Sequence, residues 1–209
     1  MMDLDAAMAE LPLVAILRGV RPEEAADIGT ALVEAGFRIV EVPLNSPEPF
    51  RSIEILSKRC GAQALVGAGT VMSAGAVRDV VAAGGKLIVM PHSDPAVIRA
   101  AKEAACWCLP GVGTPTEGFA ALAAGADALK LFPGEALPPA VVKAWKAVFP
   151  PAVRLLPVGG IAPGTMADYV AAGAAGFGIG SALYKPGISA GDLARRAGDF
   201  VAAWRDLRR

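Results

Sequence analysis

The sequence predicts a (β/α)8 (TIM) barrel, a single domain over residues 1–209 in which eight parallel strands alternate with helices. Four helical segments each end in a glycine that is followed by an apolar run, and these glycines are Gly36, Gly84, Gly125 and Gly173. They lie 48, 41 and 48 residues apart. A period in this range holds two strand–helix units if each takes about 22 to 25 residues, so four double units give eight strands. A glycine suits the end of a helix because that position is commonly left-handed.

Eight short apolar segments are the predicted strands. Most of them lack a polar alternation, as expected of parallel strands that are covered on both sides. In chain order they are Val14–Arg18, Phe37–Val42, Ala64–Gly67, Lys86–Met90, Cys106–Leu109, Asp127–Phe132, Arg154–Val158 and Gly176–Gly180.

The intervening helices are predicted to begin at residues that are favoured at helix N-termini. These residues are Pro22, Pro47, Ser73, Pro95, Thr116, Pro138 and Pro163. A short helix within Met1–Glu10 is expected to cover the bottom of the barrel, and a last helix over Ala190–Leu207 ends the chain. A doubly wound open sheet is the alternative fold, although it explains the four glycines less well.

Composition indicates a cytoplasmic protein that acts on a small molecule. The hydrophobic fraction is 54% and the formal net charge is zero, so neither a nucleic acid nor a membrane is expected as a partner. No uncharged stretch reaches the roughly 20 residues of a membrane-spanning helix. Three cysteines, Cys60, Cys106 and Cys108, form an odd set that fits a reducing cytosol. With a single histidine in the chain, a metal site is not predicted.

Lys130 is the residue on which the predicted chemistry depends. It lies in the apolar segment 126–134, near the C-terminal end of the sixth predicted strand, where the active sites of such barrels lie. Burying an ammonium group without compensation costs several kcal/mol. A neutral lysine amine attacks a ketone to form an iminium, which accepts electrons when a neighbouring bond breaks. Apolar neighbours favour the neutral amine by lowering its pKa. We therefore predict that Lys130 is a Schiff-base lysine.

Glu41 is the predicted partner of Lys130, because it is the only carboxylate placed late in an apolar strand. A carboxylate beside an iminium can move protons during carbinolamine dehydration and carbon–carbon cleavage. The alternative is a structural Lys–Glu ion pair within the barrel mouth.

Two glycine-rich strand ends predict a phosphate site. Gly159-Gly160 follows the seventh predicted strand, and Gly178–Ser181 ends the eighth. In these barrels the loops after strands 7 and 8 commonly bind phosphate through backbone N–H groups. The alternative is that the glycines only form tight turns.

Arg18 and Thr70 end the first and third predicted strands, and they are candidates for binding a substrate carboxylate. A salt bridge within the barrel mouth is the alternative for Arg18. His92 ends the fourth strand, where substrate contact and a structural position are both compatible with the pattern.

Six sequence blocks together resemble the class I 2-keto-3-deoxy-6-phosphogluconate/galactonate aldolases, in the family order and over about residues 13–185. The blocks are Val14–Gly19, Glu41–Pro47, Gly67–Val71, Pro110-Gly111, Ala128–Pro133 and Val158–Ile161. The resemblance implies a homotrimeric (β/α)8 barrel without a metal or other cofactor. It implies a Schiff-base lysine at Lys130 and a general acid/base at Glu41. The implied products are pyruvate and glyceraldehyde 3-phosphate.

The second block departs from the phosphogluconate branch, which usually reads Glu-Val-Thr-Leu-Arg-Thr. This chain reads Glu-Val-Pro-Leu-Asn-Ser, which places Asn45 where that arginine would bind the substrate carboxylate. The form is similar to the 6-phosphogalactonate branch, so the resemblance implies 2-dehydro-3-deoxy-6-phosphogalactonate as the substrate. The alternatives are the gluconate epimer or 4-hydroxy-2-oxoglutarate.

Residues at the strand ends are the predicted substrate contacts. They are Arg18, Asn45, Thr70, Pro91, Phe132, Gly159, Gly160, Gly180 and Ser181. Two other functions fit the same ends: a phosphosugar enzyme that forms no iminium, such as an epimerase, and a non-catalytic barrel that binds a phosphorylated metabolite.

Overall fold

Strands and helices alternate along residues 2–208, the part of the chain that the computed structural model describes. The strands are β1 Leu13–Ile16, β2 Ile39–Pro43, β3 Leu65–Gly69, β4 Leu87–Val89, β5 Trp107–Leu109, β6 Gly111–Val112, β7 Leu129–Leu131, β8 Leu155–Pro157 and β9 Phe177–Ile179. The helices are α1 Leu4–Glu10, α2 Pro22–Ala35, α3 Pro49–Cys60, α4 Ala74–Ala82, α5 Pro95–Glu103, α6 Pro115–Ala123, α7 Pro139–Lys146, α8 Met166–Ala171 and α9 Ala190–Asp206. Two 3₁₀ turns cover Gly134–Ala136 and Pro163–Thr165.

The predicted strands are confirmed within a few residues, with one difference at Pro110. Proline has no N–H for the ladder, so the fifth predicted strand is followed by a separate two-residue strand, β6. The predicted repeat is also confirmed, because Gly36, Gly84, Gly125 and Gly173 have φ angles of 112°, 86°, 103° and 100°.

The helix starts agree with the prediction at Pro22 and Pro95, whereas α3 begins at Pro49 rather than near Pro47. Glu48, the residue immediately before this helix, has a left-handed backbone conformation with a φ of 39°. The predicted N-terminal helix is present as α1, and the Asp3 side chain accepts a hydrogen bond from the Ala6 N–H at its start. Met1, which the prediction included, lies outside the described residues.

All strand pairs are parallel, as predicted, and they form two hydrogen-bonded sheets. The larger sheet has the order β5-β4-β3-β2-β1-β9, and the smaller one has the order β6-β7-β8. The larger sheet is a half-barrel rather than a complete ring. The two sheets meet at Pro110, where β5 passes into β6, and at a parallel bridge between Val158 and Gly178. Backbone hydrogen bonds add to each junction: the Asp127 N–H donates to the Cys108 carbonyl oxygen at 3.0 Å, and the Ala175 N–H donates to the Leu155 carbonyl oxygen at 2.9 Å. We call these two junctions the seam.

Two apolar clusters lie on opposite faces of the strands. The larger packs the strands against the surrounding helices. The smaller contains side chains from β1 to β5 and β8, and α1 contributes Leu4, Ala7 and Met8 to it. Its strand members are Val14, Ile39, Leu65, Leu87, Val89, Leu109 and Leu156. The helix α1 therefore covers this inner cluster, as the sequence predicted. Among residues 2–208, no helix combines the length and hydrophobicity needed to cross a bilayer.

Candidate active site

Glu41 and Lys130 are charged side chains that are almost completely buried, with 2% and 7% of their surfaces exposed. Glu41 lies on β2 of the larger sheet and Lys130 on β7 of the smaller one. Both face one narrow apolar cavity, whose wall includes Leu109, Leu156 and Val158. The structure therefore brings together the two residues that the sequence predicted to be a pair.

The Glu41 carboxylate lacks the partners that a structural ion pair would provide. Its Oε2 atom is buried without a hydrogen-bond partner among the described residues. A buried carboxylate oxygen of this kind is costly to the fold. The geometry therefore favours a functional group over a purely structural one.

Gly69 provides the space that the Glu41 carboxylate occupies. The two residues lie on neighbouring strands, where β2 and β3 pair Glu41 with Gly67 and Pro43 with Gly69. A methyl group at Gly69 would collide with the carboxyl group of Glu41. A larger residue at this position would therefore force the Glu41 carboxyl group to move.

Burial shifts the pKa values of both groups in the direction that favours their uncharged forms. Loss of hydration raises the pKa of Glu41 to about 7, against the charges of Lys130 and Arg18, which lower it. Burial likewise lowers the pKa of Lys130, and the charge of Glu41 opposes that change. A carboxyl group with a pKa near 7 can both accept and return a proton at neutral pH.

Phe132 lies directly over Lys130, with the ammonium nitrogen 4.6 Å from the ring centroid. The ring face favours the protonated amine and partly offsets its desolvation. Phe132 is 38% exposed, so its other side faces solvent at the site entrance.

A cleft of about 420 Å³ adjoins the pair, and it contains six of the predicted substrate contacts. These are Arg18, Phe132, Gly159, Gly160, Gly180 and Ser181. Gly159 and Gly160 have φ angles of 115° and 66°, a conformation in which side chains are strained. Two charged residues of the lining, Glu135 and Lys185, were missed by the sequence analysis. A signal for Glu135 was available, since it lies in the loop that follows the Lys130 strand.

Asn45 contacts Arg18 rather than lining either cavity. The Arg18 Nη1 donates a hydrogen bond of 2.7 Å to the Asn45 Oδ1. Next to this bond, the Gly19 N–H donates to the Ser46 Oγ at 2.9 Å. The loop after β2 therefore positions the guanidinium group at the mouth of the cleft.

Thr70 and Pro91 are predicted contacts that line neither the cleft nor the inner cavity. Thr70 has a φ of 56°, which is unusual for a β-branched residue. His92 is half-buried, and its Nδ1 has no hydrogen-bond partner among the described residues. Cys106 and Cys108 lie in the main core, as predicted. Across residues 2–208, no group of three or more His, Cys, Asp or Glu side chains is arranged to hold a metal ion.

Comparison with known proteins identifies the family of this chain. Residues 4–197 match the family model described as KDPG and KHG aldolase. The chain belongs to the KDPG and KHG aldolase family. Aldolases of this kind are carbon–carbon lyases.

Individual relatives of this aldolase family are similar over nearly the whole chain. The probable 2-dehydro-3-deoxy-6-phosphogalactonate aldolase of Rhizobium meliloti (strain 1021) is 50% identical over 195 residues, which cover 93% of this chain and 92% of the relative. The 2-dehydro-3-deoxy-6-phosphogalactonate aldolase of Escherichia coli (strain K12) is 45% identical over 197 residues, which cover 94% and 96%. A solved structure described as native KDPGal is 44% identical, has a TM-score of 0.94 and covers 95% of this chain and 97% of its own.

Substitution of Gly69 tests the space reserved for the carboxylate. We expect Gly69→Ala to lower kcat by roughly 10- to 100-fold, because a displacement of about 1 Å at a reacting group costs that much. Steady-state cleavage kinetics would measure the change. Gly75→Ala in α4 is the matched control, because a Cβ there meets nothing closer than 3.7 Å. Full activity in Gly69→Ala would contradict the assigned role of this glycine.

Proposed function

We propose that the chain is a Schiff-base aldolase that cleaves 2-dehydro-3-deoxy-6-phosphogalactonate to pyruvate and glyceraldehyde 3-phosphate. One observation carries the proposal. A buried lysine and a buried, unpartnered carboxylate face the same apolar cavity. That cavity adjoins a glycine-lined cleft that also contains the basic residues Arg18 and Lys185.

The proposed reaction begins when the neutral Lys130 amine attacks the C2 ketone. The resulting carbinolamine loses water and becomes an iminium. Glu41, directly or through a water, removes the proton of the C4 hydroxyl group. The C3–C4 bond breaks, its electron pair moves into the iminium to form an enamine, and glyceraldehyde 3-phosphate leaves. Protonation at C3 and hydrolysis then release pyruvate and restore Lys130.

Substrate binding is proposed to use both ends of the cleft. Arg18, positioned by Asn45, binds the C1 carboxylate with help from Thr70, and Arg is suited to this because its guanidinium group matches a carboxylate. The phosphate lies on the backbone of Gly159-Gly160 and Gly180-Ser181, with Lys185 nearby. Pro91 and Phe132 are proposed to complete the substrate surface.

The galactonate epimer is favoured by Asn45 and by the names of two relatives that are similar over nearly the whole chain. The test is retro-aldol cleavage of the two C4 epimers side by side, with pyruvate release as the readout. We expect a higher kcat/KM for the galactonate epimer. A preference for the gluconate epimer would overturn the substrate assignment, and no pyruvate from either epimer would overturn the proposed function.

The proposal includes closure of the two sheets into one eight-stranded barrel within a single domain. The bridge between Val158 and Gly178 supports closure on one side, and the direct passage from β5 to β6 supports it on the other. The inner cluster supports it further, since Leu109 and Leu156, from different sheets, belong to the same group. A cytoplasmic homotrimer is proposed on the family resemblance.

A further inference from the structure

Glu135 lies across the glycine pair of the proposed phosphate site. A Cβ built on Gly159 would collide with the Glu135 carboxylate and lie 3.0 Å from its Cδ. A Cβ built on Gly160 would lie 3.3 Å from the Glu135 Cγ. The 3₁₀ turn Gly134–Ala136 brings the side chain there from the end of the Lys130 strand. The carboxylate therefore already rests against the backbone to which a phosphate would bind.

The charge of Glu135 is not neutralised by a close cation. Among residues 2–208, the ion pairs with N–O distances of 4.0 Å or less do not include Glu135. Two cations, Arg18 and Lys185, line the same cleft, and neither forms such an ion pair with Glu135; Arg18 instead donates to Asn45. The negative charge of Glu135 also acts on Tyr169. Burial is the larger cause that raises the pKa of Tyr169, and the charge of Glu135 is the second. Tyr169 in turn donates a hydrogen bond of 3.2 Å to the Gly134 carbonyl oxygen and holds the turn in place.

We propose that Glu135 is an internal anion that competes with the substrate phosphate for the Gly159-Gly160 backbone. This inference rests on the proposed phosphate site. A phosphate dianion and a carboxylate repel each other, so the side chain must withdraw before the phosphate can bind fully. Glu135 therefore weakens binding of phosphorylated ligands and speeds release of the phosphorylated product. It is a specificity residue, and it takes no part in the chemical step.

The test is titration calorimetry of the full chain with inorganic phosphate. Glu135→Gln keeps the size of the side chain and removes its charge, so we expect it to bind phosphate at least fivefold more tightly at low ionic strength. The ratio of the two affinities is expected to fall toward one in about 1 M salt, because salt screens charges in an open cleft. It is also expected to be larger at pH 7.5 than at pH 5.5, because inorganic phosphate loses its second proton near neutral pH and so carries more negative charge at the higher pH.

Two further variants serve as controls for the phosphate titration. Glu103→Gln removes an exposed acid at the end of α5, outside the cleft, and is expected to bind phosphate like the wild type. Glu135→Asp withdraws the carboxylate by one methylene group and is expected to give an intermediate affinity.

The outcomes separate this inference from the proposed function. Equal phosphate affinity in the wild type and Glu135→Gln overturns the role of Glu135 and leaves the phosphate site intact. Weaker binding in Glu135→Gln also overturns that role, because it means that the carboxylate supports the ligand. If phosphate binds neither protein, the proposed phosphate site fails, and the inference fails with it.

Discussion

Replacing Lys130 with methionine is expected to lower kcat for retro-aldol cleavage by a factor on the order of 10⁴ or more, because the residue that forms the iminium is lost. Methionine has a similar length, and an apolar side chain suits the cavity wall formed by Leu109 and Leu156. Loss of the Lys130 charge removes an interaction that lowers the pKa of Glu41, so the buried carboxyl group can stay neutral and the variant is expected to remain folded. Thermal unfolding of the variant would verify this.

The direct measurement is borohydride reduction in the presence of pyruvate, followed by peptide mass spectrometry. The wild type is expected to carry a stable adduct on the peptide that contains Lys130, and Lys130→Met should carry none. Lys143→Met removes an exposed lysine on α7 and should retain the adduct. An adduct on any other lysine, or none in the wild type, would contradict the proposed mechanism.

Replacing Glu41 with glutamine is expected to lower kcat/KM by roughly 10²- to 10⁴-fold, the usual contribution of a general acid or base. In the wild type, kcat/KM for cleavage should rise with pH through the Glu41 pKa of about 7, because the carboxylate form accepts the C4 hydroxyl proton. That limb of the pH profile should be missing in Glu41→Gln. Retention of the limb would mean that another group is titrating.

The pH dependence of folding stability gives an independent measure of the Glu41 pKa. This pKa is about 7 in the folded protein, against 4.5 for the unperturbed group, so between these values the folded state binds more protons than the unfolded state. The free energy of unfolding therefore falls as pH rises through this window, by up to about 3 kcal/mol. Glu41→Gln lacks this group, so its stability relative to the wild type should increase from pH 5 to pH 8 in chemical denaturation. A constant difference would place Glu41 in a solvated environment.

The residues that were predicted correctly share a local signal. Apolar runs located the strands, and the periodic glycines located the helix ends. Within those runs, Glu41 and Lys130 were conspicuous because a charge in a buried strand is unfavourable. Their meeting was expected from the predicted barrel, in which the C-terminal ends of distant strands come to one rim.

The features that were missed depend on the path of the chain between strands. Glu135 reaches the cleft through a 3₁₀ turn, and Lys185 through a loop after β9, and neither turn has a periodic pattern. Thr70 has a left-handed backbone and lines neither cavity, so its contact with the substrate stays a prediction. The break in the fifth strand could have been anticipated, because Pro110 cannot donate to the ladder.

Because Glu41 and Lys130 lie on opposite sides of the seam, we expect activity to depend on the local stability of the seam. Glu41 belongs to the six-stranded sheet and Lys130 to the three-stranded one, and no continuous strand ladder joins these sheets at the seam. Proteins open in cooperative units that cost less than global unfolding, and such openings occur where contacts are sparse. An opening at the seam would separate the two groups while each sheet kept its own ladder. We therefore expect activity to require that the seam stays closed, and a substitution that stabilises the seam is expected to protect activity without altering Glu41 or Lys130.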